Sequence, residues 1–276
     1  MSIGVAILSW KSPKTVRNTL ESYLNTKFLD MVDDSVLCFQ EVSKEDIELA
    51  ESVGIRYVAT DTNKGIQGAF RLGYESLDTD YILILENDCS IVGNQDFIRS
   101  QLTEALKLLD ADVVDLVRLR SRFNPGFGGD RAVRMYTRFF NVTKPHENFN
   151  FHESIDNSLS FIKWMRRTFR PDKARRWSGR SVYVEKHPEK LFPKFISAYE
   201  NALIVDSHIL PWTNQPTLVS RKFFGSLLEF ADKNPRSRTV NGFQDLEKPL
   251  NCKWWRDSKF RIGIIDGMFT HNRLDR

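Results

Sequence analysis

Cysteine is scarce in this chain of 276 residues. Cys38, Cys89 and Cys252 are odd in number and widely spaced, with no C-x-x-C pair. That excludes a disulfide framework and a structural zinc site, and it fits a reducing compartment. Long hydrophobic runs are missing too. The apolar stretch Ile3 to Leu8 is far shorter than the ~20 residues a membrane-spanning helix needs. The start M-S-I-G-V lacks the basic residues and small-residue cleavage site of a signal peptide. The expectation is a soluble, cytoplasmic chain with no leader and no transmembrane segment. Charge of one sign is also absent: 40 Lys and Arg face 36 Asp and Glu, for a net charge of +4. So mild an excess permits anionic ligands and argues against a dedicated nucleic-acid binder.

What the chain does have is an ordinary globular balance, 41% hydrophobic and 28% charged, with length for one large domain or two small ones. Its 20 Phe and 6 Trp imply a well-filled core and stacking surfaces. Ile3 to Leu8 reads as a strand buried on both faces. Ser12-Pro13 opens a helix with Val16, Leu20, Tyr23 and Leu24 at helical spacing. Strands are expected over 35–39, 55–59, 81–85 and 113–119, with helices over 44–53, 66–77 and 97–109. This alternation predicts βαβ units and a mostly parallel sheet, which binds ligands beyond the carboxyl ends of its strands. From Arg120 to Lys194 the pattern breaks down. It returns with a strand at 203–205, a helix over 222–232 and a last strand at 260–265.

The residues at one such strand end are Glu86-Asn87-Asp88. In extended backbone, acids two apart point to the same side, which suits a divalent ion bound by hard oxygen ligands. The same spacing suits a pair of solvated turn acids equally. Gly65 suits a helix start close to phosphate, or plain helix capping.

Context adds a resemblance. The segment T-N-K-G-I-Q-G-A-F-R-L-G, ahead of an apolar strand ending in E-N-D, resembles the family 2 glycosyltransferases with the GT-A fold, which carry N-x-G-x-x-x-A-x-N-x-G before a D-x-D motif. Asn63, Gly65, Ala69 and Gly73 match; Arg71 replaces the second Asn, and Glu86 the first Asp. G-F-Q-D-L-E at 242–247 resembles the family's G-[FY]-E-D-x-[DE], with Gln244 in place of Glu.

The resemblance implies a GT-A-type, Rossmann-like, mostly parallel sheet flanked by helices with an elaborated C-terminal half. It implies one domain over 1–276, with a nucleotide-sugar-binding half over 1–120 and an acceptor-binding and catalytic half over 121–276. Asp88, Glu86 and His271 would hold Mn²⁺ or Mg²⁺, and Asp245 would be the base of an inverting transfer. Ser9, Trp10, Glu41, Asn63, Lys64, Gly65, Arg71, Glu86 and Asn87 would bind a nucleoside-diphosphate sugar, with Arg273 a further phosphate partner. The acceptor would be a glycan, glycoconjugate or protein hydroxyl.

His146, His152, His187 and His208 lack ligand spacing and receive no role. The Arg-rich segment 164–180 leaves three readings open: a solvated face, a lid over the donor, or a surface for an anionic acceptor or a membrane, with peripheral contact. Trp164, Trp177, Trp212, Trp254 and Trp255 are candidate sugar-stacking platforms. Two other functions compete. A nucleotidyltransferase should carry a glycine-rich basic loop where this chain reads S-W-K-S-P. A glycan-binding protein without turnover would tolerate the substitutions at Glu86 and Gln244.

Overall fold

Strands with no polar face must be covered on both sides, and the chain meets that need by alternating strands with helices. The computed structural model describes residues 1–141, 160–236 and 242–275, so His146 and His152 lie outside the described residues. Strand β1 (Ile3–Trp10) is buried from Ile3 through Ser9. Helix α1 (Pro13–Asn25), β2 (Asp34–Gln40), α2 (Lys44–Val53), β3 (Tyr57–Thr60), α3 (Gly65–Ser76) and β4 (Tyr81–Glu86) follow. Helix α2 opens with a capping box between Ser43 and Asp46 and stops at left-handed Gly54. After β4 come β5 (Cys89–Ile91), α4 (Gln95–Asp110) and β6 (Leu116–Arg120).

The second half adds the helices α5 (Gly129–Tyr136), α6 (Phe161–Phe169), α7 (Pro171–Ser178) and α8 (Pro188–Leu191). Next are β7 (Ile196–Tyr199), β8 (Ala202–Asp206), β9 (Thr217–Ser220) and α9 (Arg221–Lys233). The chain closes with α10 (Glu247–Leu250), α11 (Lys253–Ser258) and β10 (Arg261–His271).

The strands form one sheet in the order β3-β2-β1-β4-β9-β6-β10-β8-β7, with β5 pairing to β10 off this path. Along that order β9 and β8 run against the common direction, so the sheet is mostly parallel, as expected. Leu20, Leu49 and Leu102, from α1, α2 and α4, pack in one core cluster. Phe70 and Phe224, from α3 and α9, pack in another with Trp212 and Trp255. Both tryptophans are about as buried as any residue in the chain, at 1% exposure, and Trp254 stacks on Phe230 at 3.9 Å. Trp212 and Trp255 spend nearly all of their surface on packing and also border a cavity. Trp164 remains exposed. Among the described residues no helix is long and apolar enough to cross a membrane.

The short strands β5 and β7 were not expected, β6 begins at Leu116 and not at 113, and three further strands differ from expectation. The third begins at Tyr57 because Ile55, just past the end of α2, still caps that helix, its N–H bonding the Ala50 carbonyl at 3.2 Å. Strand β9 was not expected, because four residues, T-L-V-S, are too few to show a period. It nevertheless sits between β4 and β6 at the middle of the sheet. The last strand runs on to His271, with its register shifting between Ile264 and Phe269. Gly267 permits that bend: its φ is +75°, and a Cβ there would meet the Arg120 carbonyl. Gly267→Ala should therefore cost about 2 kcal/mol or more. A thermal melt followed by circular dichroism should show the midpoint falling by several degrees; an unchanged midpoint would mean that β10 does not depend on this bend.

Candidate functional site

The carboxyl end of β4 delivers Glu86, and the backbone then turns through Asn87 and Asp88 before β5. It is this turn, and not an extended run, that sets the spacing of the two acids. The third member arrives from the far end of the sequence. Strand β10 pairs antiparallel with β5, opposing His271 to Cys89, and the Asn272 N–H bonds the Asp88 carbonyl at 2.7 Å. Ligand atoms of Glu86, Asp88 and His271 consequently lie within 4.8 Å of one another. His271 Nε2 sits 2.6 Å from Asp88 Oδ2, and its Nδ1 lies 3.2 Å from the Phe127 carbonyl. If Nδ1–H donates to that carbonyl, Nε2 presents a lone pair to the carboxylate. A contact so short has room for a proton and not for a metal ion, which would have to sit beside both atoms.

Helix α1 holds the acidic turn from below. Thr19 Oγ1 donates to the Asn87 carbonyl at 2.7 Å, and Tyr23 Oη to the Cys89 carbonyl at 2.7 Å. Asn18 donates to Ser90 Oγ at 3.1 Å, and Ser22 Oγ accepts the Ile91 N–H at 3.0 Å. Sequence reasoning missed this set. Its signal was present: Thr15 and Thr19 are polar on the buried face of an amphipathic helix, and both are fully buried. Thr15 also anchors the tail, its N–H bonding Asp275 at 2.8 Å.

Acids crowd this place. Burial pushes the Glu86 carboxyl well above the ordinary range, and the charges of Asp88, Glu247 and Asp245 push it further, while Arg273 opposes them. Glu247 is likewise raised, first by burial. Buried like charges favour protonation or a bound cation.

A cleft of about 230 Å³ opens above the turn. Its lining brings together Ser9, Trp10, Asn63, Gly65, Glu86, Asn87 and Asp88 with Gln40, Gln244 and Arg273. Gly65, at φ +73°, is where the two distant motifs touch: a Cβ there would lie 2.5 Å from Phe243 Cβ. The amides expected to greet phosphate are already engaged. Lys64 N–H bonds Gln40 at 2.6 Å, Gly65 N–H bonds Asn63 at 2.7 Å, and Gln67 N–H bonds the Gln244 carbonyl at 3.4 Å. Gln244, where the related motif has Glu, both donates to the Arg236 carbonyl at 3.0 Å and accepts from its N–H at 3.3 Å. A carboxylate could not make both bonds.

Glu41 stands at the rim, accepting from Trp10 Nε1 at 2.6 Å and pairing with Lys11 at 2.9 Å. These bonds hold its carboxyl below the usual range. Lys64 is exposed beside the cleft. Arg71 is not part of it: it pairs with Asp232 on α9 and with Glu75. Asp245 lies instead on the wall of a second cavity, of about 640 Å³, together with Glu247. Asn214 Nδ2 and the Glu247 N–H bond Asp245 Oδ1 at 3.1 and 3.2 Å.

The fold is that of the GT-A glycosyltransferases. The chain is similar to S. aureus TarS 1-349 at a TM-score of 0.50 and 11% identity, covering 99% of this chain and 60% of that one. It therefore spans less than two thirds of that TarS chain. Glucosyl-3-phosphoglycerate synthase from Mycobacterium tuberculosis, solved with Mn²⁺, UDP-glucose and phosphoglyceric acid, is similar at a TM-score of 0.46 and 12% identity, over 99% of this chain and 72% of that one. The mannosyltransferase PcManGT from Pyrobaculum calidifontis, with GDP-mannose and Mn²⁺, is similar at 0.37 and 13%, over 46% and 42%. No family model matches the sequence, and no curated protein does.

The raised Glu86 carboxyl gives a test with a definite sign. In the folded chain it binds its proton more tightly than in the unfolded chain, so this group stabilises the fold at low pH and loses that contribution as pH rises through its folded value. Glu86→Gln should raise the melting midpoint of metal-free protein near pH 7 and weaken its stabilisation by Mn²⁺. Differential scanning fluorimetry with and without MnCl₂ reads both. A variant that loses stability without metal would show that Glu86 is not under repulsion.

Proposed function

We propose that this chain is a metal-dependent, inverting glycosyltransferase that moves a sugar from a nucleoside-diphosphate donor to a hydroxyl of a glycan, glycoconjugate or protein. The observation that carries this reading is the convergence of Glu86, Asp88 and His271 within 4.8 Å at the foot of a cleft lined by Trp10, Asn63 and Gly65. Two carboxylates and an imidazole are a donor set that suits Mn²⁺, and Mg²⁺ by its oxygens. Such an ion, when bound, would neutralise charge on the departing diphosphate.

The remaining roles belong to the chain itself. Trp10 offers an indole face to the base or ribose, and Arg273, with Lys64 at the rim, offers positive charge to the diphosphate. Ser9 and Asn87, linked at 3.4 Å, and Asn63 give hydrogen-bonding groups for ribose and sugar. Glu41 steadies the Trp10 ring through its indole N–H. Asp245 takes the proton of the acceptor hydroxyl as that oxygen attacks C1 opposite the diphosphate. Both bonds to Asp245 fall on Oδ1, which leaves Oδ2 to receive the proton. The first 120 residues supply most of the donor cleft and the rest supply Asp245, in a chain whose strands form one sheet. The three cysteines are free thiols, in keeping with a cytoplasmic, reducing setting.

Two measurements test this. Nucleoside diphosphates should raise the melting midpoint only with Mn²⁺ present, by about 2.7 kcal/mol of stabilisation at a hundredfold excess over Kd; a full panel without any shift would sink the reading. Asp245→Asn should keep nucleoside diphosphate binding by calorimetry while sugar transfer falls by about a hundredfold or more. Transfer at the wild-type rate would remove Asp245 from the role of base.

A further inference from the structure

The cavity that holds Asp245 has an unusual wall. Arg175, Arg176 and Arg180 line it from α7 and the turn after it, and Lys248 and Arg256 line it from α10 and α11. Arg175 is tied to Asp172 at 2.7 Å. Arg176, Arg180, Lys248 and Arg256 form no ion pair among the described residues. The basic turn is held there by close packing: a Cβ on Gly179 would meet the Ile209 carbonyl, so only glycine lets the chain lie against this part of the wall. The segment thus faces the cavity of Asp245 and lines no part of the cleft of Trp10.

Solvated arginines would need no ligand, and Arg176 by itself fits that description. Arg180 does not. It is half-buried, and burial together with the neighbouring Arg118 brings its guanidinium down to about 10, with Glu247 opposing. Arg118 behind it is 1% exposed and keeps Nε and Nη1 without a partner among the described residues. Buried polar groups normally find partners. Two residues of the cavity wall, Thr213 and Asn251, likewise each keep a buried oxygen, Oγ1 and Oδ1, without a partner among the described residues. Cations that form no ion pair and outnumber the acids of the same wall, Asp172, Asp245 and Glu247, beside residues with unbonded oxygens, are complementary to a ligand that has both an anionic group and hydroxyls.

We propose that this cavity is the acceptor site and that it takes an acceptor bearing a phosphoryl group, bound by Arg180, Arg176 and Arg256, with the accepting hydroxyl directed to Asp245. The proposal rests on the glycosyltransferase reading for the use of the site, but the binding of the anion can be measured without it. Calorimetry on the full chain would compare glycerol 3-phosphate, glycerate and glycerol, with a nucleoside diphosphate and Mn²⁺ titrated in parallel. Glycerol 3-phosphate should bind at least about tenfold tighter than glycerol and tighter than glycerate. Arg180→Gln should weaken it about tenfold, while Trp10→Ala should not. Should Arg180→Gln fail to fold, the pair Arg176→Gln, at an exposed position, and Arg256→Gln serves instead. Equal binding of the three probes, or full binding by the arginine variants, overturns the proposal and leaves the donor reading standing. Loss to Trp10→Ala alone would place the phosphate in the donor cleft and also overturns it. Phosphate binding that follows the arginines, with no nucleoside diphosphate binding at all, would keep the anion site and defeat the glycosyltransferase reading.

Discussion

The contact between His271 and Asp88, 2.6 Å across, ties the last strand of the sheet to the turn that follows β4, and much of the architecture exists to make it. Strand β10 must pair with β6, bend at Gly267 beneath the Arg120 carbonyl, and pair with β5 as well before it reaches Asp88. Arg120 reinforces the approach from the side, its guanidinium donating to the carbonyls of Pro125 and Phe127, while the Phe127 N–H bonds the His271 carbonyl at 2.7 Å. Each of these bonds removes freedom from a segment that would otherwise spend entropy on ordering when a ligand arrives.

That rigidity is bought against repulsion. Glu86, Asp88, Asp245 and Glu247 sense one another through a poorly solvated interior, and the same low polarity that makes the arrangement costly makes a cation there effective. The second cavity shows the opposite excess along its arginine wall. The two spaces thus differ in charge, the cleft of Trp10 lined by Glu86 and Asp88 and the cavity of Asp245 by more cations than acids.

Legibility of the sequence varied with the physics of each part. Fully apolar strands such as β1 and β4 and the capped helix α2 declared themselves, because burial on both faces and local hydrogen bonding are decided by neighbouring residues. Strand β9 did not, since four residues acquire strand geometry only from β4 and β6 on either side. Glu86, Asp88 and His271 were named from motif order, and the fold does gather them. Arg71 was named from the same segment, yet it turns to Asp232, because the outward face of α3 meets α9. The α1 hydroxyls were overlooked because their partners lie some 70 residues away.

The sequence by itself determined the alternation of elements, the parallel half-sheet and the acids at a strand end, all consequences of local periodicity and turn chemistry. Only the tertiary structure decided which distant groups share a space. It put His271 on Asp88, Gln244 against the start of α3, and the arginines of α7 in the cavity of Asp245 and away from the cleft of Trp10. The reason is physical: strand pairing and close packing act between residues far apart in the chain, and no local pattern records them.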